Sequence, residues 1–577
     1  MTEVSALQRL VKVARGLAPA DLLIRNAQVV NVFTLEIEEK AVAVCGATIA
    51  GVGDYRERAE EVDAGGAYLL PGFADAHLHL ESSIVSPAEF ARAVVPFGTT
   101  AVFADPHEVA NVLGARGIRE LLRATEALPL EVFFLAPSCV PATALETAGA
   151  ALATEEIAAL LREARVVGLG EMMNLPGVLA GEAEALEKIA AAIGEGKVVD
   201  GHAPLLSGRD LQAYAATGVS SDHETIGAKE AREKLAAGMR LIIREGSAAK
   251  NLADLAPVVI EGGPALARRC TFGSDDVHPH DLREGHLNRV LRKAVALGLH
   301  PLQAVQMCTL NAFEHFGLAR RGAVAPGYQA DLVLVRDLRD FEPVLVVKAG
   351  KKVASGGGLL VDVPASGLEG LRGTVRRSPV TSAIFRIRAE GARARVIEVV
   401  PDQIVTRAGV AAPPVGEGLW LADPSQDLLK VAVIERHSGS GGLGLGFVRG
   451  FGLRRGAMAS TVAHDSHNLV VVGASDEEMV LAANTVIGSD GGQAVVAGSQ
   501  VLAHLPLPLA GLMSELPIAE VSERVSQLER AVRSLGCTLP SPMMTMSFLA
   551  LPVIPELRLT DRGLVDVKEF RLVPLRA

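Results

Sequence analysis

The sharpest chemical signal in this sequence is His77-Leu78-His79, which follows the turn residues Pro71 and Gly72. In an extended strand, residues i and i+2 face the same side. Both imidazoles therefore reach one cation, while Leu78 packs the other way. Four further runs end in side chains of the same chemistry. Glu171 closes RVVGLGE, His202 closes KVVDGH, His223 closes GVSSDH, and Asp275 lies in FGSDD. Any one of these alone is more often a cap or a core residue. Five strand ends carrying them together point to a metal centre. Carboxylate plus imidazole suits a divalent ion such as manganese, iron or zinc. Six ligands exceed the needs of one zinc ion that also binds water, so a two-ion site bridged by Glu171 is the better fit.

Other polar residues carry less. Asp105, His107 and Glu108 (ADPHEVAN) either line the pocket or form a helix N-cap network. Asp276 points away from Asp275 along the strand and is expected to bind substrate or support the ligands. His278, His280 and His286 read as solvated or structural loop residues, and His300 and His315 as surface residues of helical stretches. In the last third of the chain, His464, Asp465, His467 and Asn468 form a dense cluster. It reads as a hydrogen-bonded turn, or alternatively as a pocket-closing or further metal-binding element. Some chemistries are excluded. His79-Leu80-Glu81 lacks the P-C-x-x-C partner of a cytidine-deaminase zinc site. There is no G-x-S-x-G nucleophile elbow. The glycine-rich run 437–456 lacks a phosphate-loop Gly-Lys-Ser/Thr, and its glycines serve tight turns and close packing.

The elements that must position these residues alternate strand and helix. The strand candidates are residues 73–80, 99–105, 131–138, 165–171, 197–202, 218–223, 239–247 and 270–276, with helical periodicity between them. Eight strands in about 245 residues predict a (β/α)₈ barrel. A doubly wound sheet would concentrate the polar residues at one switch point, whereas here they close nearly every strand. Residues 1–72 read as a short helix followed by the first part of a small β-sandwich, residues 73–318 as the barrel, 319–365 as the rest of the sandwich, and 366–577 as a C-terminal α/β domain.

The net charge of −11 argues against a nucleic-acid surface. Five scattered cysteines with no C-x-x-C pair argue against a disulfide framework and favour a reducing cytoplasm. No signal peptide and no run of about 18 apolar residues is present, so no membrane span is expected.

The stretches PGFADAHLHLESS, DPHEVANVLG, GLGEMMNLPGV, DGHAPLLSG, SSDHE and SDDVHPHDLREGH together resemble the amidohydrolase superfamily. More narrowly they resemble the bacterial adenine deaminase family that carries a C-terminal domain, and AHDSHNLVVVG is similar to that domain. The resemblance makes His77, His79, Glu171, His202, His223 and Asp275 the metal ligands, with Glu171 bridging. It gives Asp276 a place at the substrate; Asp275 and Glu171 are expected to be catalytic, and His107 and Asp105, from their position after the second strand, to line the substrate pocket. The resemblance implies conversion of adenine to hypoxanthine and ammonia, as in purine salvage. It also implies two divalent ions (manganese favoured, iron or zinc the alternatives) and a cytoplasmic homo-oligomer, expected as a dimer. The alternatives are an amidohydrolase acting on a cyclic amide or another nucleobase, and an inactive metal-binding scaffold.

Overall fold

In the computed structural model, residues 3–247, 249–365, 367–401 and 403–577 are described. The eight strands expected between residues 73 and 276 all form: β1 (Phe73–Leu78), β2 (Thr99–Ala104), β3 (Glu131–Ala136), β4 (Val166–Met172), β5 (Val198–Gly201), β6 (Ser221–Asp222), β7 (Arg240–Arg244) and β8 (Cys270–Gly273). All neighbouring pairs are parallel. Strands β1 to β5 make one ladder and β6 to β8 another. Single bridges from Val199 to Val219 and from Leu78 to Asp275 join the two ladders and close the ring. Every residue of β1 and β2 is buried, as in parallel strands covered on both sides.

The strands flanking the barrel share one nine-stranded sheet. Its seam is antiparallel pairing of Tyr68–Pro71 with Leu332–Val335. Leu22, Val29 and Leu69 from the first flank share an apolar cluster with Leu332, Leu345 and Val347 from the second. An ionic knot fastens this sheet to the barrel. Glu131 Oε2, at the start of β3, lies 2.9 Å from Lys348 Nζ and also pairs with Arg321.

The C-terminal region is built on an eight-stranded sheet. Helix Asp476–Gly488 packs on it, capped by Ser475, whose hydroxyl accepts the Glu478 amide hydrogen at 3.3 Å. Gly444 is required where the sheet meets the segment Leu557–Thr560: a Cβ there would lie 1.9 Å from the Thr560 carbonyl oxygen. This region sits over the C-terminal ends of the barrel strands. Ser514 exchanges backbone hydrogen bonds with Ser86 and Ile84 in the loop after β1. His280, in the short helix Pro279–Glu284 after β8, bonds Ser522 at 2.6 Å.

One histidine departs from the sequence reading, and for another the structure selects between the two readings given. His315, expected at the surface, is buried at 5% exposure, and burial lowers its pKa to about 4. Of the two readings offered for His286, solvated or structural, the structural one holds. The ring is buried, with Nδ1 2.8 Å from Thr99 Oγ1 and Nε2 3.1 Å from Asp75 Oδ2.

Candidate metal centre

The six candidate ligands converge on the barrel mouth, and Glu171 lies at their centre. Its Oε1 is 3.5 Å from His79 Nε2, and its Oε2 is 2.6 Å from His202 Nδ1 and 3.1 Å from His223 Nε2. The rings of His77 and His223 stack with centroids 3.9 Å apart. Asp275 Oδ1 is 3.2 Å from His79 Nε2. Asp275 adopts a left-handed φ of 56°, and its amide donates to the His77 carbonyl oxygen at 2.9 Å. That bond fixes the end of β8 against the end of β1.

The tautomers show that these residues fit cations. His79 Nδ1 lies 3.0 Å from the carbonyl oxygen of Asp105, which can only accept, so the ring hydrogen sits there. The Nε2 of His79 then meets the carboxylates of Glu171 and Asp275, and the two anions call for positive charge at that nitrogen, carried by a proton or by a metal ion. His77 Nδ1 is likewise committed, 3.1 Å from Asp200 Oδ2, which leaves its Nε2 buried without a hydrogen-bond partner. A ring nitrogen fixed by a carboxylate behind it is the usual support of a metal-bound histidine. Two overlapping groups, His77–His79–Glu171 and Glu171–His202–His223, each bring their donor atoms within 4.8 Å of one another.

The electrostatics follow from burial among opposed charges. Burial resists ionisation of Glu171, but hydrogen bonds from His107, His202 and His223 outweigh it and hold the carboxyl well below its usual range. Burial disfavours charge on His107 too, yet its bond to Glu171 prevails and raises it to about 10.

Asp105 is wholly buried behind the centre, where its Oδ2 accepts the amide hydrogen of Glu171 at 2.9 Å. His107 stands beside Glu171, with Nδ1 3.3 Å from Oε1. Asp276 is half-buried, and one of its carboxylate oxygens falls within 4.8 Å of donor atoms of His79 and Asp275. His464 reaches in from the C-terminal region, its Nδ1 3.5 Å from Glu108 Oε1. His467 instead closes the turn at Ala463: its Nδ1 accepts the Ala463 amide hydrogen at 3.1 Å. Its ring hydrogen therefore lies on Nε2, which has no lone pair for a cation.

Three residues of the site were not singled out from the sequence. Asp200 orients His77. Arg244, at the end of β7, bonds Asp275 Oδ2 at 2.8 Å. Glu224 pairs with Arg244 and lies 3.6 Å from His223 Nε2. For Asp200 a local signal existed, since it stands two residues before His202 and so shares its strand face.

Residues 68–353 match the Amidohydrolase family, and residues 403–571 match the adenine deaminase C-terminal domain. The chain is 48% identical over 568 residues to the adenine deaminase of Desulfatibacillum aliphaticivorans, covering 98% of this chain and 99% of the relative. It is 49% identical over 571 residues to adenine deaminase 2 of Carboxydothermus hydrogenoformans, covering 99% of both. Among solved structures, enamidase, an amidohydrolase superfamily member, superposes with a TM-score of 0.45 at 17% identity, over 60% of this chain and 98% of that one.

Proposed function

The chain belongs to the adenine deaminase family of amidohydrolases, and from that premise we propose how its residues convert adenine and water to hypoxanthine and ammonia. His77, His79, Glu171, His202, His223 and Asp275 hold two divalent ions, manganese favoured over iron(II) or zinc. The observation that carries this is the convergence of two donor groups on Glu171, His77–His79–Glu171 and Glu171–His202–His223, each with its donor atoms within 4.8 Å of one another. When bound, such ions lower the pKa of water from about 15.7 to roughly 7 and so supply the nucleophile at neutral pH.

The remaining chemistry belongs to the side chains. Asp275 takes a proton from the attacking water as the new bond to carbon 6 forms. It then delivers that proton to the amino nitrogen, so that the C–N bond breaks with ammonia as the leaving group. Proton transfer of this kind is worth about 10²–10⁴-fold in rate. Arg244 keeps one oxygen of Asp275 engaged, which leaves the other for the proton. Asp276 and His107 face the substrate side, and Asp105 positions Glu171 from behind.

No helix among the described residues is long and apolar enough to cross a membrane. The five cysteines are free and buried, in keeping with a reducing cytoplasm; the family likeness is the ground for reading the protein as a purine-salvage enzyme, and we take it to act as a homodimer. The test is to purify the protein with manganese, count the metal per chain, and follow adenine loss and ammonia release. About two ions per chain with stoichiometric hypoxanthine and ammonia are expected. Metal-loaded protein that leaves adenine intact overturns the assignment.

A further inference from the structure

The loops that follow the seventh and eighth strands of a barrel frequently hold phosphate. In this chain they wall a cavity of about 350 Å³. Glu245 and Lys250 come from the loop after β7, Ser274 and Asp281 from the segment after β8, and Arg289, Arg292 and Lys293 from helix Leu287–Ala296. None of the six candidate metal ligands lines it. One water needs roughly 10–15 Å³ by the same measure, so the space takes a ligand of many atoms.

The lining sets four basic side chains against two carboxylates, and part of its polar capacity is unused. Lys250 is exposed and has no ion pair among the described residues. Both hydrogen bonds from Arg289 to Asp281 run through Nη1, at 3.0 and 3.2 Å, which leaves Nε and Nη2 as donors. Ser274 is 2% exposed, and its hydroxyl has no hydrogen-bond partner. Glu245 engages Lys293 Nζ at 2.6 Å through Oε1, while its Oε2 is buried without a partner. Buried polar atoms are rarely left unpaired, so Ser274 and Glu245 mark where polar groups of a ligand fit.

The charges sort that ligand into two ends. A phosphate suits Lys250 and the free edge of Arg289, because a guanidinium takes phosphate through two parallel hydrogen bonds. The bare oxygen of Glu245 repels phosphate and accepts only from a donor, so the other end carries hydroxyls. An anion without donors would satisfy only half of this wall. Adenine and hypoxanthine carry no phosphate, so the occupant is a second ligand and not the substrate.

We propose that this cavity binds a sugar phosphate, either free or as part of a nucleotide. Its phosphate lies on Lys250 and Arg289, and its hydroxyls meet Glu245 and Ser274.

The experiment titrates manganese-loaded wild type, Lys250→Glu and Arg289→Gln by calorimetry with ribose 5-phosphate, adenosine 5′-monophosphate and inorganic phosphate. Hypoxanthine is present throughout, to keep a nucleotide from entering the metal centre by its base. Ribose 5-phosphate is expected to bind wild type at one per chain and about 10-fold or more tighter than inorganic phosphate. Each variant is expected to weaken it by about 10-fold or more, the usual worth of a hydrogen bond to a charged group. The kcat/KM for adenine, measured without added ligand, should stay within about 3-fold of wild type in both variants, which shows that they fold. Tighter binding of the nucleotide than of ribose 5-phosphate assigns the site to nucleotides, and equal binding assigns it to the sugar phosphate alone. Absence of saturable binding by both organic phosphates, binding that both variants retain, or inorganic phosphate binding as tightly as ribose 5-phosphate overturns the proposal. Protein that binds ribose 5-phosphate in this way yet leaves adenine intact keeps this site and removes the deaminase reading.

Discussion

Arg244 donates from Nη1 to Oδ2 of Asp275 at 2.8 Å, while the other oxygen of Asp275 lies 3.2 Å from His79 Nε2. One carboxylate is thereby divided into a tethered oxygen and one that faces the reacting centre. Burial opposes its charge, and His79 and Arg244 together hold it well below the usual carboxylate range.

Asp275→Asn removes the proton carrier while keeping the shape. Turnover of adenine should fall by about 10²–10⁴-fold, the usual worth of general acid–base catalysis, with circular dichroism unchanged. Steady-state assay of the metal-loaded variant decides the matter: turnover within a few-fold of wild type would remove Asp275 from this role.

Asp200→Ala leaves the His77 ring without the carboxylate that sets its tautomer. Loss of such a support lowers metal affinity about 10–100-fold. Titration with a competing chelator should show this shift, and activity should return at high manganese. An unchanged affinity would mean that the stacked His223 ring alone orients His77.

Lys234 is fully buried, with Nζ 2.9 Å from Asp222 Oδ2 and 2.6 Å from both Glu230 Oε1 and the Ala203 carbonyl oxygen. Lys234→Met strands the buried Asp222 carboxylate, a change that costs about 3–5 kcal/mol. A melting temperature lower by roughly 5 °C or more is expected. A shift under about 1 °C would show that the pair contributes little.

Glu131 ties the flanking sheet to the barrel. Burial raises its pKa, but Lys348 and Arg321 outweigh burial and leave it lowered. A carboxyl depressed on folding stabilises above its unfolded pKa, near 4.3, and loses that contribution as the pH falls through its lower folded value. Glu131→Gln should therefore destabilise by about 1–2 kcal/mol at neutral pH, and the difference from wild type should shrink below about pH 4. Melting curves at pH 7, 5 and 3.5 test this. A gap of constant size across the series contradicts it.

The local parts of this protein were readable along the chain. The period of two placed His77 and His79 on one strand face, and most of the strand cores were visible as short apolar runs, the polar β6 (Ser221–Asp222) being an exception. The polar residues ending those runs marked the barrel face where chemistry occurs, because a parallel strand buried on both sides admits polar groups only at its ends. The adenine deaminase resemblance was carried by those same short stretches. Tertiary structure alone decided what meets across the ring: Asp200 beneath His77, which stands 123 positions earlier in the chain, Arg244 on Asp275, and His464 over the barrel mouth beside Glu108. It also buried His315, which local pattern placed outside, and made His286 structural rather than solvated. Contacts of this kind arise when the barrel closes and the C-terminal sheet lies down on it, and no local periodicity encodes the partner of a side chain hundreds of residues away.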